Sequence, residues 1–170
     1  VAKKTKPPKP VDPMDKIVVA SNRRANHEYE ILDTYEAGLV LQGSEVKALR
    51  EAKVQIAESY ARIRNNELWL LSFHISPYSH TGAHTGHDPD RPKKLLLHRT
   101  EINRIDARLD RDPLTMVALQ VYFIKGNAKV ELALARRKNQ TDKRQSIAEK
   151  DAKRETARAM KAANRVGYDD

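Results

Sequence analysis

The stretch LTMVALQVYFIKGNAKVELALA, from Leu114 to Ala135, is the most strongly patterned part of the 170-residue chain. Its second half alternates, with Val130, Leu132 and Leu134 on one side and Lys129, Glu131 and Ala133 on the other. That is the period of a strand with one buried face. Lys125-Gly126-Asn127 separates two apolar runs with residues suited to a tight turn, so Leu114–Ile124 and Ala128–Ala135 are expected to form a hairpin.

Similar signals recur upstream. Between His27 and Gln42 the strand formers Tyr29, Ile31, Tyr35, Leu39, Val40 and Leu41 recur around Gly38, predicting two strand segments about a bend or bulge. Gly43-Ser44 predicts a turn with Ser44 capping a short helix that ends near Glu51 and turns Val46 and Leu49 inward. Ser59–Arg64 alternates, Asn65-Asn66 tolerates positive φ, and Leu68–Ile75 would return as a strand with Trp69, Leu71, Phe73 and Ile75 on one face. A polar loop, Pro77–Pro92, leads to a short basic-to-apolar run, Lys93–Leu97. Thr100–Asp110 then carries Ile102, Ile105 and Leu109 at helical spacing, with Thr100 as cap and Asp112-Pro113 as stop. Short strands with two small helices point to a mainly β fold, a closed or nearly closed antiparallel β-barrel. An open sheet with helices on one side is the alternative.

Charge divides the chain more sharply than hydropathy. The net charge is +9 and the isoelectric point about 9.7. Val1–Lys16 has five Lys and two Asp, with Pro7, Pro8, Pro10 and Pro13 among them, and reads as a disordered basic arm. Residues 136–170 hold eleven Lys/Arg against six Asp/Glu. Residues 17–135 carry sixteen basic and fifteen acidic residues, so the expected body is almost neutral. The tail is rich in Ala, Lys, Arg and Glu, which favour helix, yet it carries no apolar stripe to dock it. It is either a solvated charged helix or a segment that a polyanion orders.

Several chemistries find no support in the pattern. There are no cysteines, which removes disulfides, thiolate nucleophiles and Cys-ligated zinc. No window approaches the ~18 apolar residues of a membrane span. The Lys/Pro-rich start has no apolar core of a secretory signal, so a cytoplasmic location is expected. His74, His80, His84 and His87, followed by Asp88 and Asp90, are a conceivable metal set with His84 and His87 as the closest pair, but no helical ligand pair is present and Gly82 and Gly86 loosen the loop. No metal or other cofactor, no catalytic residue, no membrane and no small-molecule substrate is expected. A nucleic-acid constellation is richer. Asn22-Arg23-Arg24 offers an amide and two guanidinium forks, His27 and Tyr29 two apart would share one strand face, and Arg91, Lys93 and Lys94 form a second basic knot.

An ordered set of segments then resembles one bacterial family, the SsrA-binding proteins (small protein B, SmpB). It comprises Asn22-Arg23-Arg24-Ala25 with His27-Glu28-Tyr29, Tyr35-Glu36-Ala37-Gly38, Gly43-Ser44-Glu45-Val46-Lys47 with Leu49-Arg50, and His74-Ile75-Ser76-Pro77-Tyr78. His87-Asp88-Pro89, Lys94-Leu95-Leu96-Leu97, Val117-Ala118-Leu119, Lys129–Ala135 and Asp142-Lys143-Arg144 complete it, covering about residues 17 to 160. The resemblance implies an OB-fold-like closed antiparallel β-barrel over residues 17–135, and a basic C-terminal tail, residues 136–170, that is helical on binding. It implies a non-enzymatic RNA-binding adaptor that takes the tRNA-like domain of transfer-messenger RNA (tmRNA, SsrA RNA) to the A site of stalled ribosomes for trans-translation. The implied RNA-binding positions are Asn22, His27, Tyr29, Glu36 and Leu96, with Arg23, Arg24, Lys93 and Lys94 as electrostatic support. Arg136, Arg137, Lys138, Asp142, Lys143 and Arg144 would meet small-subunit ribosomal RNA at the decoding centre, and Ser146 with Glu149 has the spacing that starts a helix. The chain departs from the family pattern at Arg137, where Gly is usual, and at Thr141, whose hydroxyl can bond but not stack. Rival readings are a metal-dependent nuclease built on the His84–Asp90 loop and a nonspecific basic RNA or membrane chaperone.

Overall fold

The structure, a computed structural model, describes residues 16–77, 87–139, 147–149 and 151–160. In order come β1 (Lys16–Ser21), α1 (Ala25–Glu28), β2 (Tyr29–Leu39), α2 (Gly43–Arg50), β3 (Val54–Gln55), β4 (Tyr60–Arg64) and β5 (Glu67–Leu71). Then follow β6 (His74–Ile75), β7 (Lys93–Leu96), α3 (Arg99–Arg111), β8 (Thr115–Ile124) and β9 (Asn127–Arg137). β8 and β9 form the expected hairpin, with Lys125 at φ 48° and Gly126 at φ 81° in its turn. The strand runs on to Arg137, past the expected limit at Ala135.

The antiparallel pairings form a cycle. β8 pairs with β4, β4 with β5, β5 with β7, β7 with β2, β2 with β9, and β9 again with β8. Each strand of this cycle has a partner on both sides, which an open sheet does not give its edge strands. β1 is added to β8 outside the cycle, and β3 with β6 makes a separate two-stranded sheet. Leu68, Leu70, Leu95, Met116, Ala118, Val130, Leu132 and Leu134 line the core, and Leu49 of α2 and Ile105 of α3 join it.

Directly opposed residues of an antiparallel pair share a face, so the register assigns the outer surface. Within the cycle of strands two irregularities interrupt it, between Ile31 and Asp33 of β2 and between Ala118 and Gln120 of β8. Each inserts one extra residue, Leu32 or Leu119, and changes the phase of the strand beyond it. Outward on β2 are therefore Tyr29, Ile31, Thr34, Glu36 and Gly38, opposite Arg137, Ala135, Ala133, Glu131 and Lys129 of β9. The expected break at Gly38 is absent. Gly38 lies in the continuous strand, where a Cβ would stand 3.3 Å from the Cβ of Leu96.

Two other expectations need correction. Leu68 and Leu70 are fully buried while Trp69 and Leu71 face outward, the reverse of the expected face. Ser72, at φ 53°, resets the phase, so Phe73 and Ile75 are buried as expected. The helix caps sit earlier than Ser44 and Thr100. The N–H of Gln42 donates to Glu45 Oε2 (2.6 Å) and that of His98 to Glu101 Oε2 (3.1 Å), so the third helical residue reaches back in both helices. Ser44 Oγ instead bonds His87 Nδ1 at 3.0 Å.

A polar set is sealed into this end of the body. Glu45, 0% exposed, is held in a two-pronged pair by Arg91, through Nη2 at 2.6 Å and Nε at 3.2 Å. Lys93 is also 0% exposed, and its Nζ donates to the carbonyls of Phe73 (2.8 Å) and Pro89 (2.9 Å). Burial lowers the pKa of Lys93, with Glu45 opposing the shift. Removing one partner of a buried ion pair leaves the other charge uncompensated. Glu45→Ala is therefore expected to destabilise the protein by roughly 3 kcal/mol, seen as a lower urea midpoint at unchanged slope. An unshifted midpoint would contradict the pairing.

Candidate nucleic-acid interface

The RNA-facing positions expected from the sequence fall at two ends of one outer surface. At the first end, Asn22 closes the junction between β1 and α1. Its Nδ2 donates to the carbonyls of Ala57 (3.1 Å) and Ala118 (3.2 Å), and its Oδ1 accepts from the N–H of Ala25 (3.2 Å). Both amide protons are thus committed, and Asn22 acts as a staple rather than as a donor to a base edge. Arg23 and Arg24 follow it and are exposed. His27 lies in α1, before β2 begins at Tyr29, so the expected shared strand face of His27 and Tyr29 does not form. The chain turns there because Ala25 is buried with Val117, Ala133 and Ala135 in a second apolar cluster, against which Tyr29 and Ile31 pack.

Tyr29 opposes Arg137 in the β2–β9 ladder, and both line a cleft of about 350 Å³ with Asn22, Arg24, Glu28 and Tyr60. Arg136 likewise opposes Glu30. Lys138 is tied to α1, its N–H donating to the Glu28 carbonyl (2.9 Å) and its Nζ to the Asn26 carbonyl (3.0 Å). These three residues, expected in the tail, therefore belong to the folded body. β9 carries Arg136 and Arg137 there because its pairing with β2 continues to Arg137, two residues past the end of its pairing with β8 at Ala135.

At the other end, Tyr122 Oη donates to Glu36 Oε2 (2.6 Å) and Lys129 Nζ to Glu36 Oε1 (2.9 Å), while Lys16 Nζ lies 3.8 Å from the Tyr122 ring centre. Partial burial works to raise the Glu36 pKa, but the bonds from Tyr122 and Lys129 and the charges of Lys129 and Lys16 outweigh it and hold the carboxyl below its usual range. Burial first, and then the bond to Glu36, push the Tyr122 hydroxyl upward. Leu96, 55% exposed, opposes Gly38 and shares with Glu36 and Lys129 a cleft of about 520 Å³. Lys94 faces outward and pairs with Glu67, whereas Lys93 points into the core opposite Leu70. Direct electrostatic support from Lys93 is ruled out by that burial.

Seven strand steps separate Tyr29 from Glu36, about 23 Å at the usual rise. The two ends share a face only because of the bulge, since residues seven apart on an uninterrupted strand face opposite ways. Sequence reading missed Tyr122 and Lys129 as partners of Glu36. The alternation of β9 already put Lys129 outside, but no local signal pairs it with a residue of β2.

The histidine loop lies partly within the described residues. His87 is buried, with Nδ1 on Ser44 Oγ and Nε2 3.0 Å from the Ile75 carbonyl oxygen, and His74 Nδ1 meets Asp90 Oδ1 at 2.9 Å. Both ring nitrogens of His87 are thus occupied. His80 and His84 lie outside the described residues, and among the described residues no group of three or more acidic, His or Cys side chains is placed to hold a metal. Residues 147–149 and 151–160 are helical and exposed throughout; Thr141, Asp142, Lys143, Arg144 and Ser146 lie outside the described residues. No helix among the described residues is long and apolar enough to cross a membrane.

The lowered pKa of Glu36 has a definite sign. Its ionised form is favoured by folding, so its contribution is complete above the ordinary value of 4.5 and is lost as pH falls through the depressed folded value. The stability difference between the parent and Glu36→Gln should therefore be constant from neutral pH to about pH 5 and shrink on further acidification. Urea titrations at a series of pH values measure it, and a difference that grows toward acid would contradict the pairing.

Known proteins resemble this chain over most of its length. A family model described as "SmpB protein" matches residues 19–162. An SsrA-binding protein of Desulforudis audaxviator is 52% identical over 143 residues, 84% of this chain and 93% of that protein. One from Thermobifida fusca is 52% identical over 143 residues, covering 84% and 89%. One from Mycolicibacterium vanbaalenii is 48% identical over 155 residues, covering 91% and 93%. Among solved structures, a chain from one described as "tmRNA-SmpB: a journey to the center of the bacterial ribosome" is 45% identical with a TM-score of 0.60, covering 75% of this chain and 93% of that one. With its ordered motifs, antiparallel sheet and match from residue 19 to residue 162, this chain belongs to the SmpB family.

Proposed function

We propose that the chain is a non-enzymatic, cytoplasmic RNA-binding adaptor that binds the tRNA-like domain of tmRNA and delivers it to the A site of stalled ribosomes for trans-translation. The observation that carries the interface is the register of β2. It brings Tyr29, Glu36 and Gly38 to one outer surface, with Arg137 beside the first and Leu96 beside the last. Family membership supplies the partner. The cyclic antiparallel sheet is read as a barrel of the oligonucleotide-binding type, whose outer strand face and loops meet nucleic acid.

The roles follow from the chemistry of each group. Tyr29 offers a half-buried aromatic face beside the cations Arg24 and Arg137, suited to a nucleotide with its phosphate. His27 adds an imidazole next to it. Glu36, kept ionised and oriented by Tyr122 and Lys129, accepts from a base amine or a 2′-hydroxyl. Leu96 supplies an apolar contact, and Lys94 and Arg23 add charge. Asn22 positions α1, and Lys93 supports the site from inside. The chain is read as a basic arm, a folded body and a basic tail. Asp142, Lys143, Arg144 and the helix beyond them would contact small-subunit ribosomal RNA at the decoding centre and in the message channel.

Stacking on an aromatic is worth about 1–3 kcal/mol per base. Tyr29→Ala and Leu96→Ala should each weaken binding of the tRNA-like RNA roughly tenfold in gel-shift titrations, and parental affinity in both would refute the interface. A second expectation separates body from tail. Because Lys138 is anchored to α1, truncation after Asn139 should preserve RNA binding and abolish peptide tagging on stalled ribosomes. Tagging by the truncated protein would remove the tail from the mechanism.

A further inference from the structure

We propose that Tyr60, Arg62, Trp69 and Lys94 on the outer face of β4, β5 and β7 form a further RNA-contact track that joins the Tyr29 cleft to Leu96. The inference rests on the adaptor reading above and extends its interface from Lys94 to Tyr60, Arg62 and Trp69, side chains not assigned there.

The register places these residues without ambiguity. Leu68, Leu70 and Ala61 are buried, so their neighbours Trp69 and Arg62 point outward, opposite one another. Trp69 in turn opposes Lys94 of β7, which makes a row Arg62–Trp69–Lys94 across three strands. At one corner, Tyr60 is 38% exposed, opposes Leu71 and lines the cleft that holds Tyr29, Arg24 and Arg137. At the other, Leu96 lies two residues beyond Lys94 on the same face. Tyr60, Trp69 and Leu96 thus climb diagonally over successive strands. Each step crosses one strand and advances two residues, about 8 Å.

Charge distinguishes this path from the other way round the sheet. Between the same two ends, the outward side of β2 and β9 holds Ile31, Thr34, Glu36 and Glu131, with Ala133 buried, and its cation Lys129 is paired with Glu36. Between Arg137 and Leu96 that stretch offers a phosphate no unpaired cation among the described residues. The β4–β5–β7 face has exposed Arg62 and Arg64, neither in an ion pair with any described residue, and one acid, Glu67, neutralised by Lys94. A half-buried indole flanked by guanidinium is a platform on which an unpaired base can stack irrespective of its identity. Among the described residues, an RNA that touches both Tyr29 and Leu96 finds unpaired guanidinium groups and an indole between them on this side.

Trp69 is the only tryptophan in the chain, so its fluorescence reports on this face alone. Titrating the full-length protein with the tRNA-like RNA, while following binding by gel shift, should quench the emission in step with complex formation and protect it from added acrylamide. Arg62→Gln, a change on an exposed strand surface, should weaken binding a few-fold and reduce the slope of log affinity against log salt by about 1. Complex formation with unchanged emission, or an unchanged salt slope for Arg62→Gln, would overturn the track while leaving the adaptor reading intact. Absence of any complex in the gel shift would overturn both.

Discussion

One additional residue, Leu32, governs which side chains of β2 face the solvent. Side chains of a strand alternate with a strict period of two, so a single slip exchanges the inner and outer sets. Before the bulge, Tyr29 and Ile31 face outward; after it, Tyr35, Ala37 and Leu39 face the core, and Thr34, Glu36 and Gly38 face outward. Without the insertion, either Tyr29 or Glu36 would be lost from the surface. The extra residue of β8, Leu119, does the same for the partner strand, keeping Val117 outward in the second apolar cluster and bringing Tyr122 out to meet Glu36. α3 is joined to the bulge by an ion pair between Arg108 and Asp33. Fold and interface therefore depend on the same irregularity.

The legible parts of this architecture were those set by local chemistry. The β8–β9 hairpin, the Asn65-Asn66 turn at φ 50° and 60°, and the apolar stripe of α3 are each specified by residues close in sequence. Phase and long-range pairing escaped. Trp69 and Leu71 look like core residues by composition, and only the positive φ of Ser72 shows that Phe73 and Ile75 belong to a different register. Gly38 has the form of a strand breaker, but its lack of a side chain serves the close approach of Leu96. Asn22 has the form of a ligand-binding amide, and its polar atoms close three backbone gaps instead.

The burial of Lys93 escapes sequence reading for a related reason. Charged residues are rarely buried unless paired, so a basic knot in sequence reads as surface. The chain defeats that rule at one place, where Glu45, Arg91, Lys93, Ser44 and His87 satisfy one another and nearby carbonyls. Among the described residues no buried side-chain polar atom lacks a partner. This sealed set fixes the residues leading into β7 against α2, and β7 presents Leu96 and Lys94. The support that Lys93 gives the interface is mechanical, exerted through the strand, and not electrostatic.

The same pairing habit explains how charge is shared between body and tail. Lys94 is matched to Glu67, Lys129 to Glu36, Arg91 to Glu45 and Arg108 to Asp33, while sixteen basic residues stand against fifteen acidic ones over residues 17–135. A cation already paired releases few counterions when a phosphate arrives, so in the proposed interface these four contribute less to salt-dependent binding than unpaired Arg62 and Arg64. The helix of residues 147–149 and 151–160 is built the other way, exposed on every described residue, with Ile147 and Met160 as its large apolar side chains. Such a helix gains little from packing on its own body. Its described cations, Lys153, Arg154 and Arg158, remain exposed and available to a phosphate-rich surface.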